Sequence, residues 1–181
     1  MAFTPIVGTL VYVVDDTSAD PSEHQVLMVH RIARKDDDHL GKYNGLGGKL
    51  EPGEDVVAGA RREIREEARI ELDELALRGT IVWTGFGPSQ EDWLGFIFIG
   101  RASSPAIPPS NDEGDLLWVA QERLLLACDD DPSVRDSAEL PMWEGDRLFL
   151  PLVFDTNPAP FHGAMAYEGD QPREWSYSRP Y

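Results

Sequence analysis

Glu63, Glu66 and Glu67 fall within five consecutive positions of a stretch with helical periodicity. At 100° per residue they occupy an arc of about 100°, while Arg61, Arg62, Arg65 and Arg69 gather on the other flank. Glu63 and Glu67 form an i,i+4 like-charge pair, which costs an isolated helix about 0.2–0.5 kcal/mol, and Glu66 adds to the repulsion. Either this is a solvated acidic face or something cationic sits against it. Oxygen donors suit Mg²⁺ or Mn²⁺, which take few carboxylates directly and complete an octahedral shell with substrate phosphates. The simplest chemistry for such a face is attack on a metal-bridged diphosphate by a water that one glutamate deprotonates.

The segment before the helix narrows these alternatives. Gly47-Gly48-Lys49-Leu50-Glu51-Pro52-Gly53-Glu54 puts glycines where backbone must approach a ligand closely, then a tight turn. Helical spacing follows from Asp55 to Arg69, with Asp55 as N-cap and Val57, Ala60, Ile64 and Ala68 as the apolar stripe. Gly48, five residues, Glu54, seven residues, then Arg62-Glu63-Ile64-Arg65-Glu66-Glu67 resembles the Nudix box, a long and specific signature. The box continues with any residue, a glycine and an aliphatic residue. Here these are Ala68, Arg69 and Ile70, so Arg69 departs at the glycine.

The resemblance implies an α/β protein with the Nudix fold, an α/β/α sandwich around a mixed sheet. It implies that Glu63, Glu66 and Glu67 are catalytic metal ligands, one of them also the base, and that Gly48 offers a backbone carbonyl to the metal. Arg62 would pair with Glu54 to brace loop against helix. Glu113, in Asn111-Asp112-Glu113, sits where many members supply a further metal-binding carboxylate; its alternative is an exposed loop acid.

Most of the chain is similar to the MutT-type branch, which hydrolyses oxidised purine nucleoside triphosphates such as 8-oxo-dGTP to the monophosphate and pyrophosphate. Gly41 to Lys49 resembles that branch's approach to the box, with Asn44 at a base-contacting position and Lys49 among the substrate-binding residues. Met142-Trp143-Glu144-Gly145-Asp146, Phe149-Leu150-Pro151-Leu152 and Phe161-His162-Gly163 resemble the animal members. Trp143 and Asp146 match purine-pocket residues there, whereas Gly145 replaces a pocket aspartate. Thr9, Leu10 and Trp83 line the pocket by the same resemblance, and Arg31, at a strand end, is placed to reach phosphate or base. The alternatives are a core or lid role for Trp143, a turn role for Asn44 and a strand-edge role for Arg31. Within the family the other substrates are an unmodified nucleoside triphosphate, dihydroneopterin triphosphate or a nucleotide sugar. A non-catalytic nucleotide-sensing module would be expected to lose box glutamates, and all are present.

The elements that must position these residues follow from periodicity. Val7 to Val14 and Gln25 to His30 predict a hairpin with a long polar loop; Leu77 to Thr84 and Trp93 to Arg101 predict two more strands, the second central; Leu116 to Ala120 predicts another. Helices are expected over Gln121 to Ala127 and over Gly145 to Phe154, the latter interrupted by Pro151. Proline and serine mark 103–110 as a surface loop; Phe161 to Tyr167 and Glu174 to Tyr177, at the end, are expected to supply edge strands or a clasp. Without a regular βαβ repeat, a mixed sheet flanked by helices is expected.

The 181 residues, 41% of them hydrophobic, are expected to form one domain, 1–181. Asp and Glu outnumber Lys and Arg 33 to 16, a net charge of −17, which argues against polymeric nucleic acid and for a small nucleotide reached through divalent cations. Cys128 has no internal partner, no basic leader precedes the first strand, and the apolar run from Pro5 to Val14 is too short to span a bilayer. The expected setting is the cytoplasm, with no membrane association. No feature of the sequence sets an oligomeric state.

Overall fold

Alternation along β1 (Ile6–Asp15) sends Val11 and Val13 to one face of a sheet and Tyr12 and Val14 to the other, and all four are buried, so both faces must be covered. The computed structural model describes residues 2–103 and 107–180. Beyond β1, its strands are β2 (Gln25–Arg31), β3 (Tyr43–Asn44), β4 (Glu74–Phe86), β5 (Glu91–Arg101), β6 (Gly114–Ala120), β7 (Phe161–Gly169) and β8 (Gln171–Ser178). Their order is β3-β2-β1-β5-β4-β7-β8, with β6 paired to β2. The β1–β5 and β4–β7 pairs are parallel and the rest antiparallel, which makes the sheet mixed.

Helix α1 (Val56–Ala68) covers one face, packing Ala60, Ile64 and Ala68 with Val11, Val13, Leu27 and Phe98. On the other face lie α2 (Gln121–Leu126) and α4 (Glu144–Val153), with α3 (Pro132–Ser137) set beside α2. Leu124, Phe149, Leu150 and Val153 meet Tyr12, Met28, Ile81 and Ile97 there. The architecture is the expected α/β/α sandwich. No helix among the described residues is long and apolar enough to cross a membrane.

One detail of the sheet creates the site. β1 pairs with β2 only at Val13, Val14 and Asp15. Over the first half of β1 that edge is taken by the glycine-rich loop, through Leu46 with Val11, the Gly48 carbonyl with the Thr9 N–H, and the Leu50 N–H with the Val7 carbonyl. The loop is thereby fixed to the central sheet.

Several expectations need correction. Val57 is 45% exposed and lies off the buried stripe; Gly59 is buried instead, under Leu50. Pro151 does not interrupt α4, which runs on to Val153. α3 and the short β3 were not anticipated, although Asp131 capping before Pro132 is a recognisable start signal. Of the two C-terminal strands, β7 is an inner strand and β8 lies at an edge. Of the loop expected over 103–110, residues 104–106 lie outside those described.

Candidate active site

Gly47 is required by the backbone, whereas at Gly48 the absence of a side chain lets the Glu63 carboxylate stand against the loop. Gly47 has φ +142°, and a Cβ on it would fall 2.1 Å from the Thr9 carbonyl oxygen. A Cβ on Gly48 would fall 2.6 Å from Glu63 Oε1. Backbone therefore meets carboxylate directly: the Gly47 N–H donates to Glu67 Oε2 at 3.1 Å. The Gly48 carbonyl already accepts from the Thr9 N–H at 2.9 Å, leaving its second lone pair for any cation.

Asp55 starts α1 by accepting from the N–H groups of Val57 and Ala58, which fixes the rotation of the acidic face. That face divides. Glu63 is turned inward with its side chain 13% exposed, Glu67 is partly buried, and Glu66 points out at 60%. Nor are the signs segregated as the helical spacing suggested. Arg62, at the boundary of the arc, binds Glu54 through two N–H groups at 2.9 and 3.0 Å and also reaches Glu63 at 3.0 Å and Glu66 at 3.1 Å. Its fourth contact is the Lys49 carbonyl, which ties the loop to the helix. This pairing holds Glu54 below its ordinary pKa and Arg62 well above its own.

Burial, with Glu113 nearby, pushes the Glu67 carboxyl up to about 8, and burial raises Glu63 against the opposing pull of Arg62. Glu113 is ion-paired with Arg31, which also donates from Nε to Asp37 at 2.8 Å. Arg31, a substrate-binding candidate, and Glu113, a metal-binding candidate, are thus joined to each other. Asn111 holds the Glu113 loop, accepting from the N–H groups of Glu113 and Gly114. Among the described residues no group of three acidic, histidine or cysteine side chains is placed to hold a metal ion by itself. Crowded, undercompensated carboxylates with a spare backbone lone pair fit an ion that shares its shell with phosphate oxygens.

Beside Gly47 and Gly48 opens a cavity of about 210 Å³. Thr9, Leu10, Arg31, Asn44, Trp83, Trp143 and Asp146 all line it. Lys49 does not; it is exposed, with its ammonium 5.1 Å from the ring centroid of Trp93, a lining residue. Trp143 is 5% exposed, donates from Nε1 to His39 Nδ1 at 2.7 Å, and has Lys42 Nζ 4.2 Å from its ring centroid. Asn44 Nδ2 lies 3.4 Å from the same His39 nitrogen. Asn44 Oδ1 and Thr9 Oγ1 are buried without a hydrogen-bond partner.

Asp146 keeps part of its surface open to the cavity, yet burial of its carboxyl raises its pKa to about 7. The missing side chain at Gly145 has a steric cause: a Cβ there would fall 1.9 Å from the Tyr167 hydroxyl. Tyr167 thus fills from β7 the space a residue 145 side chain would need, and burial with the Asp146 charge drives its pKa up. His39, Phe86, Trp93 and Tyr167 line the cavity but were not anticipated. Trp93 was within reach, being the cross-strand partner of Trp83. Tyr167 lies in the strand-like run noted at the C-terminus, but its facing depends on the β4–β7 pairing.

The NUDIX domain profile matches residues 5–140. Over 130 residues the chain is 28% identical to the oxidized purine nucleoside triphosphate hydrolase of Danio rerio, covering 71% of this chain and 72% of that protein. The MutT protein of Bacillus halodurans superposes with a TM-score of 0.72 at 23% identity, covering 95% of this chain and 97% of that one. The NUDIX domain of Shewanella oneidensis NrtR, solved with ADP ribose, superposes with a TM-score of 0.58 at 14% identity over 82% of this chain and 85% of that one. At these identities the two structures speak to fold alone.

Proposed function

The chain belongs to the NUDIX family, with MutT-type relatives, and from that premise we propose that it hydrolyses an oxidised purine nucleoside triphosphate such as 8-oxo-dGTP to the monophosphate and pyrophosphate, clearing damaged nucleotides from the pool. The observation that carries this reading is the buried, unpartnered Asn44 Oδ1 in a cavity that runs up to Gly47 and Gly48, against which Glu63 and Glu67 stand. Oxidation at C8 converts guanine N7 from an acceptor to an N–H donor. An acceptor in the wall is then satisfied by the oxidised base and faces a second acceptor in the parent base. A buried group left unpaired costs about 1–3 kcal/mol, or about ten- to a hundredfold in selectivity per contact. The name of the Danio rerio relative supports the same substrate class.

In this reading Thr9, Leu10 and Trp83 wall the base, Trp143 and Asp146 close its far end, Lys49 adds positive charge near the rim, and Arg31 lines the cavity with its charge paired to Asp37 and Glu113. Stacking on an aromatic ring adds about 1–3 kcal/mol for any base, so selectivity falls to the polar groups. The groups that would hold Mg²⁺ or Mn²⁺ are Glu63, Glu66 and Glu67, with Glu113 and the free lone pair of the Gly48 carbonyl. Such an ion, when bound, neutralises the phosphates and acidifies water. A carboxylate of α1 takes the proton of the attacking water as the new P–O bond forms. The bond from the attacked phosphorus to the oxygen bridging the α- and β-phosphates breaks, its electron pair goes to that oxygen, and monophosphate and pyrophosphate part. Arg62 keeps Glu63, Glu66 and the Glu54 turn in register throughout. The substrate is a free nucleotide and not a polymer, since a net charge of −17 repels a nucleic-acid backbone.

The test is a panel of 8-oxo-dGTP, 2-hydroxy-dATP, dGTP and ADP-ribose with Mg²⁺, following pyrophosphate and orthophosphate separately. The oxidised purines are expected to have the higher kcat/KM, with pyrophosphate as co-product. Equal kcat/KM for 8-oxo-dGTP and dGTP would overturn the sanitising role, and orthophosphate released without added pyrophosphatase would contradict the choice of bond.

A further inference from the structure

Tryptophan Nε1–H is a donor and nothing else, so its 2.7 Å contact with His39 Nδ1 requires that nitrogen to be a bare acceptor. His39 is then the neutral tautomer carrying its proton on Nε2. Asn44 approaches the same nitrogen at 3.4 Å. Facing a lone pair, its amide must turn the NH₂ group toward the ring and the carbonyl away, because the reverse would set two acceptors against each other. The carbonyl so turned is the buried Oδ1 without a partner on the cavity wall.

We propose that His39 is a positioning residue that determines specificity: relayed from Trp143, its bare Nδ1 locks the Asn44 amide with the oxygen toward the ligand, so that the cavity selects a base edge carrying a donor. This deepens, and rests on, the purine triphosphate reading above. The loop supports the geometry. His39 is held by its own N–H donating to Asp37 at 3.0 Å, and Asp37 is anchored by Arg31. The charged groups facing the ring are Arg31 and Lys42, which oppose its protonation, and Asp37 and Asp38, which favour it; burial is the largest influence and also keeps the ring neutral. Protonation of Nδ1 would end both contacts and free the amide to rotate.

Two measurements test this. In the intact wild-type protein at pH 8, ¹⁵N chemical shifts of the His39 ring are expected to report Nε2–H with Nδ1 unprotonated, and an Nδ1–H tautomer overturns the relay whatever the substrate is. In kinetics, His39→Leu is expected to cut the kcat/KM ratio of 8-oxo-dGTP over dGTP by about tenfold or more, mainly through KM. His39→Gln, whose carbonyl can accept from Trp143, should retain most of the ratio. A wild-type ratio preserved in a folded His39→Leu protein overturns the proposal, as does equal loss of ratio in both folded variants. If the wild type cleaves neither nucleotide, the substrate reading fails and the ring shifts still decide the role of His39.

Discussion

At Glu67 burial, the nearby charge of Glu113 and one backbone N–H from Gly47 meet on a single carboxylate. Replacing it with glutamine keeps an oxygen for the Gly47 N–H and removes the charge that a cation or a water proton needs. Glu67→Gln is therefore expected to lower kcat by at least about a hundredfold, with a thermal melt close to wild type. EDTA should abolish the wild-type activity. Full turnover in either case would remove the acidic face from the chemistry. Glu54, Arg62 and the three glutamates were legible because their spacing along the chain is itself the signature. His39 was not, since it sits in a polar loop without periodicity, and its importance comes from Trp143, 104 positions away. Arg31 and Glu113 were legible as charged candidates, but their pairing spans 82 positions, and spacing carries no information about it.

Helix α1 ends in a conformation its sequence does not favour. Arg69 stands where the box has glycine and adopts φ 56°, the left-handed region, with its N–H donating to the Arg65 carbonyl. A residue with a Cβ in that region costs about 1–2 kcal/mol, part of which glycine would return. Arg69→Gly is expected to raise stability by about 0.5–1 kcal/mol, read as a higher denaturation midpoint at unchanged kcat/KM. An unchanged or lower midpoint would mean that the Arg69 side chain contributes packing its exposed position does not suggest. The departure from the box was plain in the sequence, and it leaves the helix start, the acidic face and the buried Ala60, Ile64 and Ala68 stripe in place. The stripe's first member was misassigned because the first turn of α1 meets the core through Val56 and leaves Val57 exposed, while Gly59 admits Leu50.

At the scale of the whole molecule, the sheet separates two cores, and the cavity reaches Asp146 at the start of α4 on the face opposite α1. The strand-and-helix pattern foretold the two layers, but not that Tyr167 from β7 would take the space above Gly145. That enclosure has a thermodynamic consequence. Asp146 has a folded-state pKa of about 7 because its carboxyl is buried, while in the unfolded chain it titrates near an ordinary carboxylate value of about 4. The folded state therefore binds this proton more tightly than the unfolded one. The contribution is fully present below about pH 4 and is lost as pH rises through about 7, beyond which the buried charge is a constant penalty. Asp146→Asn cannot ionise and escapes that penalty. Its stability relative to wild type should thus improve by about 1–3 kcal/mol between pH 5 and pH 8, measured as the difference in urea unfolding free energies at each pH. A difference that stays flat across this range, or that runs in the opposite direction, would show that the Asp146 carboxylate is stabilised in the fold and not merely enclosed by it.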